Sequence, residues 1–355
     1  MAQSESETVL TEHHETDNLD PRTDAPARPG IPVHIAPVQL GNITVPTPVV
    51  LSPMAGVTNW PFRVICEEYG PDGLYVAEMI TARALVAHNP KALRLCHFAK
   101  SEKIRSLQLY GVNPSITEQA AKIVVDGNMA DHVDLNFGCP AKLVNQSKGG
   151  AVLLKEPETV YRIVKAVREA VPAHLPVSAK IRLGYDDKEL YMDNAQAVFQ
   201  GGANELAVHA RTKREGYKAP AHWEYVDAIR RALPIPVTAN GEIWNHADAL
   251  TCARVSGCDA LMVGRGAISL PNLANVMKTG CAHMSWAEVL QLMVTYTEQD
   301  LASDKADYYP SRIKQWFSYI VREYPQADEL FRRIRTIKTA EEIRSALERE
   351  CASQA

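Results

Sequence analysis

Eight short β-rich runs recur between residues 48 and 263, and helix-forming stretches separate most of them. The runs cover 48–53, 73–77, 104–109, 132–137, 177–183, 205–209, 235–239 and 259–263. Helix-like stretches lie at 116–126, 157–170, 190–200, 223–231 and 245–256. Eight strands alternating with helices over roughly 200 residues is the count for a closed α/β barrel of the (β/α)8, or TIM, type. Pro157 stands where a first-turn proline is welcome. Asn245 reads as an N-cap, and Gly257 as the stop of the same helix. A doubly wound open sheet would need a glycine fingerprint after its first strand, and residues 53–56 read Pro-Met-Ala-Gly instead. After Pro271 the strand signals cease, and 284–300, 309–323 and 326–349 read as helices. Three parts follow: an acidic disordered tail over 1–35, a barrel over 36–283 and an all-helical C-terminal domain over 284–355.

Composition narrows the class. The chain is 46% hydrophobic and 23% charged, as an ordinary globular protein is. Its first thirty residues hold seven acids and two arginines without an apolar centre, which excludes a signal peptide and predicts disorder. That segment carries −5 of a total of −4, so the body stands at +1 and leaves a nucleic-acid partner open through a local basic face. Apolar runs break within about ten residues, too short for a membrane span. The seven cysteines are scattered, with no CxxC pair or Cys/His cluster, which predicts no metal and a reduced, cytoplasmic protein.

Polar residues stand at the C-terminal ends of the strands, where a barrel keeps its mouth. Strand one runs into Ser52-Pro53-Met54, strand two into Glu78, strand three through Gln108 and strand four into Asn136 and Cys139. Lys180 and Arg182 are in strand five and His209 ends strand six. Asn240, Gly241 and Glu242 follow strand seven, and Gly264 and Arg265 follow strand eight. Each group taken singly could be satisfied within an ordinary core. Seven of eight strand ends with the same feature point to a ligand, because desolvated polar groups need partners. The glycine turns after strands seven and eight, with Arg265, suit a phosphate. Lys180 and His209 add positive or donor groups, and Met54 can cover a ring face. Flavin mononucleotide is the simplest ligand with such a tail and ring. In the segment 134–140, Asp-Leu-Asn-Phe-Gly-Cys-Pro, Cys139 sits where the chain must turn. It reads either as a buried structural cysteine or as a proton donor to a carbon centre.

These segments resemble the tRNA-dihydrouridine synthases, flavoenzymes with an FMN-bearing barrel and a C-terminal helical domain. The likeness rests on 52–58 with Phe62 and Arg63, 134–140, 148–150, 180–184, 209–212 and 240–242, and spans about residues 46–335. Further matches at 241–244, 256–259, 267–273 and 312–319 are most similar to the branch acting on uridine 16 of the tRNA D-loop. The resemblance implies FMN contacts from Pro53, Met54, Gln108, Lys180, His209, Asn240, Gly241, Glu242, Gly264 and Arg265. It puts Asn136, Arg182 and Tyr217 around the substrate uracil and makes Cys139 the general acid. NADPH would reduce the flavin; hydride would then reach uracil C6 while Cys139 protonates C5. tRNA would be gripped by the barrel rim and by basic residues of the helical domain, including Lys305, Arg312, Arg333 and Arg335, with a monomer as the working form. Two other readings remain: a reductase of free pyrimidines, which needs no helical domain, and a non-catalytic RNA-binding barrel, which needs no Cys139, Lys180 or His209.

Overall fold

The structure is a computed structural model that describes residues 33, 35–303 and 306–354. Nearly all of the expected acidic tail, and Lys305, lie outside the described residues. A small antiparallel hairpin comes first, β1 (Val38–Leu40) with β2 (Ile43–Val45). Gly41 turns it with φ +54°. Then follow β3 (Val49–Leu51), β4 (Leu74–Tyr75), β5 (Ile80–Thr81), β6 (Ser106–Tyr110), β7 (His132–Asn136), β8 (Val177–Arg182), β9 (Glu205–His209), β10 (Val237–Asn240) and β11 (Ala260–Val263). All nine are parallel, in the order β4-β3-β11-β10-β9-β8-β7-β6-β5.

The two ends of that order are pieces of one broken strand. Leu74 and Tyr75 pair with β3, after which Val76 bridges Ser106 and Ala77 N–H donates to the Ser106 carbonyl at 2.9 Å. The ring therefore closes, as the sequence count required. What the expected run 73–77 missed is the change of partner within it, which splits the strand and lets β5 resume at Ile80.

Alternation along the strands separates two apolar layers. Side chains facing outward pack with the helices in one large core that includes Leu107, Leu135, Ile181 and Val208. The helix Pro157–Ala170 buries Val160, Ile163, Val164 and Val167, a stripe at helical spacing. Each such side chain contributes about 1.5–3 kcal/mol. A second, smaller cluster fills the lower barrel: Val50, Leu74, Val76, Ala207, Ala260 and Met262, closed from below by Val38, Leu40 and Val45 of the hairpin. The void left there is about 10 Å³, so the barrel is a packed core, not a pore. Chemistry is confined to the upper end.

Local signals behave as their residues require. Asn245 accepts from Asp248 N–H at 2.9 Å, and Gly257 ends that helix in the left-handed region with φ +62°. Trp286–Leu301 opens on a capping box between Ser285 and Glu288. Tyr309–Ile320 follows it. The expected single helix 326–349 is two, Gln326–Ile334 and Ala340–Ser353. Thr336, Ile337 and Thr339 disfavour continuation, and Thr339 instead caps the second helix.

These helices lie against the mouth end of β3. Trp316 meets Phe62 edge-on at 5.3 Å and donates Nε1–H to the Ile268 carbonyl at 2.9 Å. Asn59 Nδ2 donates to Asp300 Oδ1 at 2.6 Å, and Arg312 donates Nε–H to Asp300 Oδ2 at 3.0 Å. Arg312 is only 8% exposed. Its expected place on an RNA-binding surface is therefore corrected: a guanidinium buried against a carboxylate ties the helices together and is not presented to phosphates. Arg333 is exposed but bonded to Glu350, whereas Arg335 is exposed.

Candidate active site at the barrel mouth

Period-two alternation sends polar side chains inward on five consecutive strands. Gln108 (β6), Asp134 and Asn136 (β7), Ser178, Lys180 and Arg182 (β8), His209 (β9) and Asn240 (β10) are all buried. They form a connected network. Ser178 Oγ–H and Gln108 Nε2–H both donate to Asp134, the latter at 2.6 Å. With its nitrogen so committed, Gln108 presents Oε1 to Asn136 Nδ2–H at 2.8 Å. That fixes the Asn136 amide, whose Oδ1 accepts from the N–H groups of Gly138 at 3.1 Å and Cys139 at 2.9 Å. Asn136 thus shapes the cysteine loop from below. On the other wall Lys180 Nζ donates to Asn240 Oδ1 at 3.0 Å, while Asn240 donates to the Met262 carbonyl.

Cys139 is half-buried on the loop after β7. Its carbonyl accepts from Asn145 Nδ2–H at 2.9 Å and Ala151 N–H at 3.0 Å. Gly150, at φ +62°, comes so close that a Cβ there would stand 2.7 Å from that carbonyl oxygen. This explains the glycine pair of 148–150, whose place beside the cysteine sequence reading did not see. Arg182 closes the opposite side: Nε–H bonds the Gly138 carbonyl at 2.9 Å, and Nη1 bonds those of Thr212 and Gly216.

Tyr217 is 48% exposed at the rim. Its ring meets His209 edge-on at 6.0 Å and lies under the guanidinium groups of Arg182 at 5.2 Å and Arg265 at 4.5 Å. Arg265 also covers Trp244 at 4.8 Å, and Arg322 from the C-terminal helices covers the same ring at 3.8 Å. Trp244 and Arg322 join the site across the chain, and only folding brings them there. Glu242, expected at the cofactor, bonds Arg211 through Oε2 and Trp244 Nε1–H through Oε1. Its carboxylate supports the wall. Pro53 and Met54 follow β3, and a Cβ on Gly264 would sit 3.5 Å from Met54 Sδ.

Desolvation is the leading influence on the charges at the mouth. Burial, together with neighbouring Arg182, lowers the Lys180 ammonium to about 7. Burial with the surrounding cations drives His209 well below its ordinary value, so it is a neutral imidazole. Arg182 and Arg211 are pulled down by the same desolvation. Burial raises the Cys139 thiol against the pull of Arg182 and Lys180, which keeps it protonated at neutral pH. A neutral thiol is poised to give a proton rather than to attack as a thiolate.

An anionic, ring-bearing cofactor fits these residues. His209 Nδ1 and Arg211 Nη1 are buried without a partner among the described residues. Gly241 holds φ +114°, and a Cβ there would stand 3.6 Å from the His209 ring. A Cβ on Gly264 would touch Met54 Sδ at 3.5 Å and Ser52 Cβ at 3.6 Å, so the glycine keeps that corner free of a side chain. The structure thus gathers Cys139, Asn136 and Arg182 around the loop after β7, and Lys180, His209, Asn240, Gly241, Gly264 and Arg265 around β8 to β11. Tyr217 bridges Arg182 to His209 and Arg265, and Gln108 is bonded to Asn136. No His/Cys/Asp/Glu group suited to a metal is found among the described residues.

The dihydrouridine synthase (Dus) family profile matches residues 50–355. A tRNA-dihydrouridine(16) synthase of Shewanella oneidensis is 52% identical over 307 residues, 84% of this chain and 97% of that one. The protein of the same name from Vibrio cholerae is 47% identical over 309 residues, covering 85% and 95%. That of Escherichia coli K12 is 43% identical over 308, covering 84% and 97%. Among solved structures, TcOYE with pHBA superposes with a TM-score of 0.52 at 12% identity, over 77% of this chain and 98% of that one. The 2-naphthoyl-CoA reductase complex gives 0.54 at 11%, over 70% and 52%. At such identities these structures speak for the barrel alone.

Proposed function

The chain belongs to the dihydrouridine synthase family, and we propose that it reduces uridine 16 of the tRNA D-loop to 5,6-dihydrouridine with flavin mononucleotide and NADPH. Membership makes it an oxidoreductase acting on tRNA uridine. The observation that carries the residue assignment is Cys139 on the loop after β7, where burial favours its thiol form, in a mouth that also holds the buried, unpartnered His209 Nδ1 and Arg211 Nη1. Arg265, Gly241 and Gly264 would hold the cofactor phosphate, Lys180, His209 and Asn240 would bond its polar ring, and Pro53 and Met54 would lie beside it. When bound and reduced, the flavin supplies the hydride for uracil C6. Cys139 Sγ–H supplies the proton for C5, and the surrounding cations ease the negative charge left on the thiolate. Arg182 and Tyr217 frame the base, which must leave its stack to reach the mouth. Asn136 keeps the cysteine loop in register with Gln108 below. Neutral His209 donates or accepts without adding charge. The enzyme works as a cytoplasmic monomer, with the folded tRNA reaching both the rim and the C-terminal helices.

The test is direct. Purified protein, saturated with flavin mononucleotide and supplied with NADPH, is added to tRNA lacking dihydrouridine, and modified bases are mapped. Signal at position 16 is expected. Signal at 17 or 20 without 16 overturns the choice of uridine. Turnover with a free pyrimidine and none with tRNA overturns the substrate class.

A further inference from the structure

We propose that Asn145 is a positioning residue for the proton transfer: its amide holds the peptide of Cys139 so that the thiol keeps one aim at the barrel mouth. The inference rests on Cys139 as the acid. Asn145 lies on the short helix Lys142–Gln146 that follows the cysteine loop. Its Nδ2 donates to the Cys139 carbonyl at 2.9 Å and to the Ala141 carbonyl at 2.8 Å. From the other side, Asn136 Oδ1 accepts the Cys139 N–H at 2.9 Å. Both peptide units that flank the Cys139 α-carbon are therefore fixed by asparagine amides, one accepting and one donating.

The second observation is what Asn145 gives up. Its Oδ1 is buried with no partner among the described residues. An orphaned buried carbonyl is costly and calls for a reason. Flipping the amide would relieve nothing, because it would set an oxygen between two carbonyl oxygens. The unpaired oxygen offsets part of what the two donated bonds contribute, and what the side chain keeps is a fixed Cys139 peptide. Gly150 enforces the same fit from the third side, since a Cβ would reach 2.7 Å from the Cys139 carbonyl oxygen and 3.0 Å from its Cβ.

Asn145→Ala and Asn145→Asp separate position from folding. The aspartate keeps the shape, lacks the donor and sets charge against two carbonyls. Both variants should retain the NADPH oxidation rate, the flavin affinity and the melting midpoint of the parent. Single-turnover oxidation of prereduced enzyme by tRNA should slow by about 10–100-fold, the scale of a small misplacement of a reacting group, with tRNA affinity unchanged. A readout independent of catalysis is alkylation of Cys139 by iodoacetamide in the flavin-free protein, followed by peptide mass spectrometry. It should quicken by about five-fold or more as the loop opens, with half-buried Cys96, Cys281 and Cys351 as internal controls. Parent-like alkylation overturns the proposal, as does faster alkylation with parent-like turnover. Full turnover by Cys139→Ala would instead remove the acid assignment, and the proposal with it; the alkylation response would still mark Asn145 as a structural clamp.

Discussion

At the scale of single residues, burial decides what each titratable group does. Cys139 stays a thiol because desolvation outweighs the cations beside it. Replacing it with alanine should leave NADPH oxidation intact and cut single-turnover dihydrouridine formation by ~10²–10⁴-fold, as loss of a proton donor does. The sign of the shift also bears on the pH profile: the Cys139 thiol keeps its proton through neutral pH, so loss of the proton donor should show only above the ordinary thiol range, separately from any change as Lys180 titrates at about 7. Glu205, deeper in the barrel, is raised from 4.5 to about 8, first by burial and further by Asp134. A raised carboxyl binds its proton in the fold when the unfolded chain has lost it. Its contribution is thus fully present below about 4.5 and is lost as pH rises through about 8. Lys180 acts in the opposite sense, its penalty easing between about 7 and 10.5. Glu205→Gln should flatten the loss of stability between about pH 5 and pH 8, measured by urea unfolding of flavin-free protein. An unchanged slope would mean that Glu205 titrates normally.

At the scale of elements, the turns after the strands carry the site. Gly241 holds φ +114°, where a side chain is strained in any surroundings. Gly241→Ala should weaken flavin retention by about ten-fold or more while leaving the barrel folded, given a strain of order 1–3 kcal/mol. Quenching of flavin fluorescence on titration measures it. The broken second strand shows why boundaries are less readable than periodicity. Run 73–77 is uniformly β-rich, but its halves pair with different neighbours, a matter of ring closure that no local pattern encodes. The break at 335–339 is subtler still, resting on Thr339 acting as a cap rather than as a helix residue.

At the scale of the whole molecule, the Asn59–Asp300–Arg312 cluster ties the C-terminal helices to the barrel mouth. Asp300→Ala removes the carboxylate that both Asn59 and the buried Arg312 bond and should cost about 3–5 kcal/mol, read from denaturant unfolding. Exposed Arg335 and Lys338 are the better candidates for phosphate binding. Reversing both charges should weaken tRNA binding and lower the slope of log affinity against log salt by about one unit for each phosphate no longer neutralised. NADPH oxidation should stay unchanged.

The eightfold alternation and the polar residues at the strand ends are legible from residue order alone. Period-two burial and helical stripes are local, so Gln108, Lys180, His209 and Asn240 could be assigned to strand ends without knowing their neighbours. What those groups do to one another was decided only in three dimensions. Arg312 reads as one more basic residue among many until packing buries it against Asp300. Trp244 meets Arg265 because β10 and β11 are neighbours in the barrel, and meets Arg322 because the C-terminal helices pack at the mouth. Asn145 carries no motif of its own, and its role depends on a carbonyl six residues away folding back within 2.9 Å. Local chemistry selects which groups stand at a strand end; their partners, their desolvation and hence their charge follow from packing between segments that sequence order does not bring together.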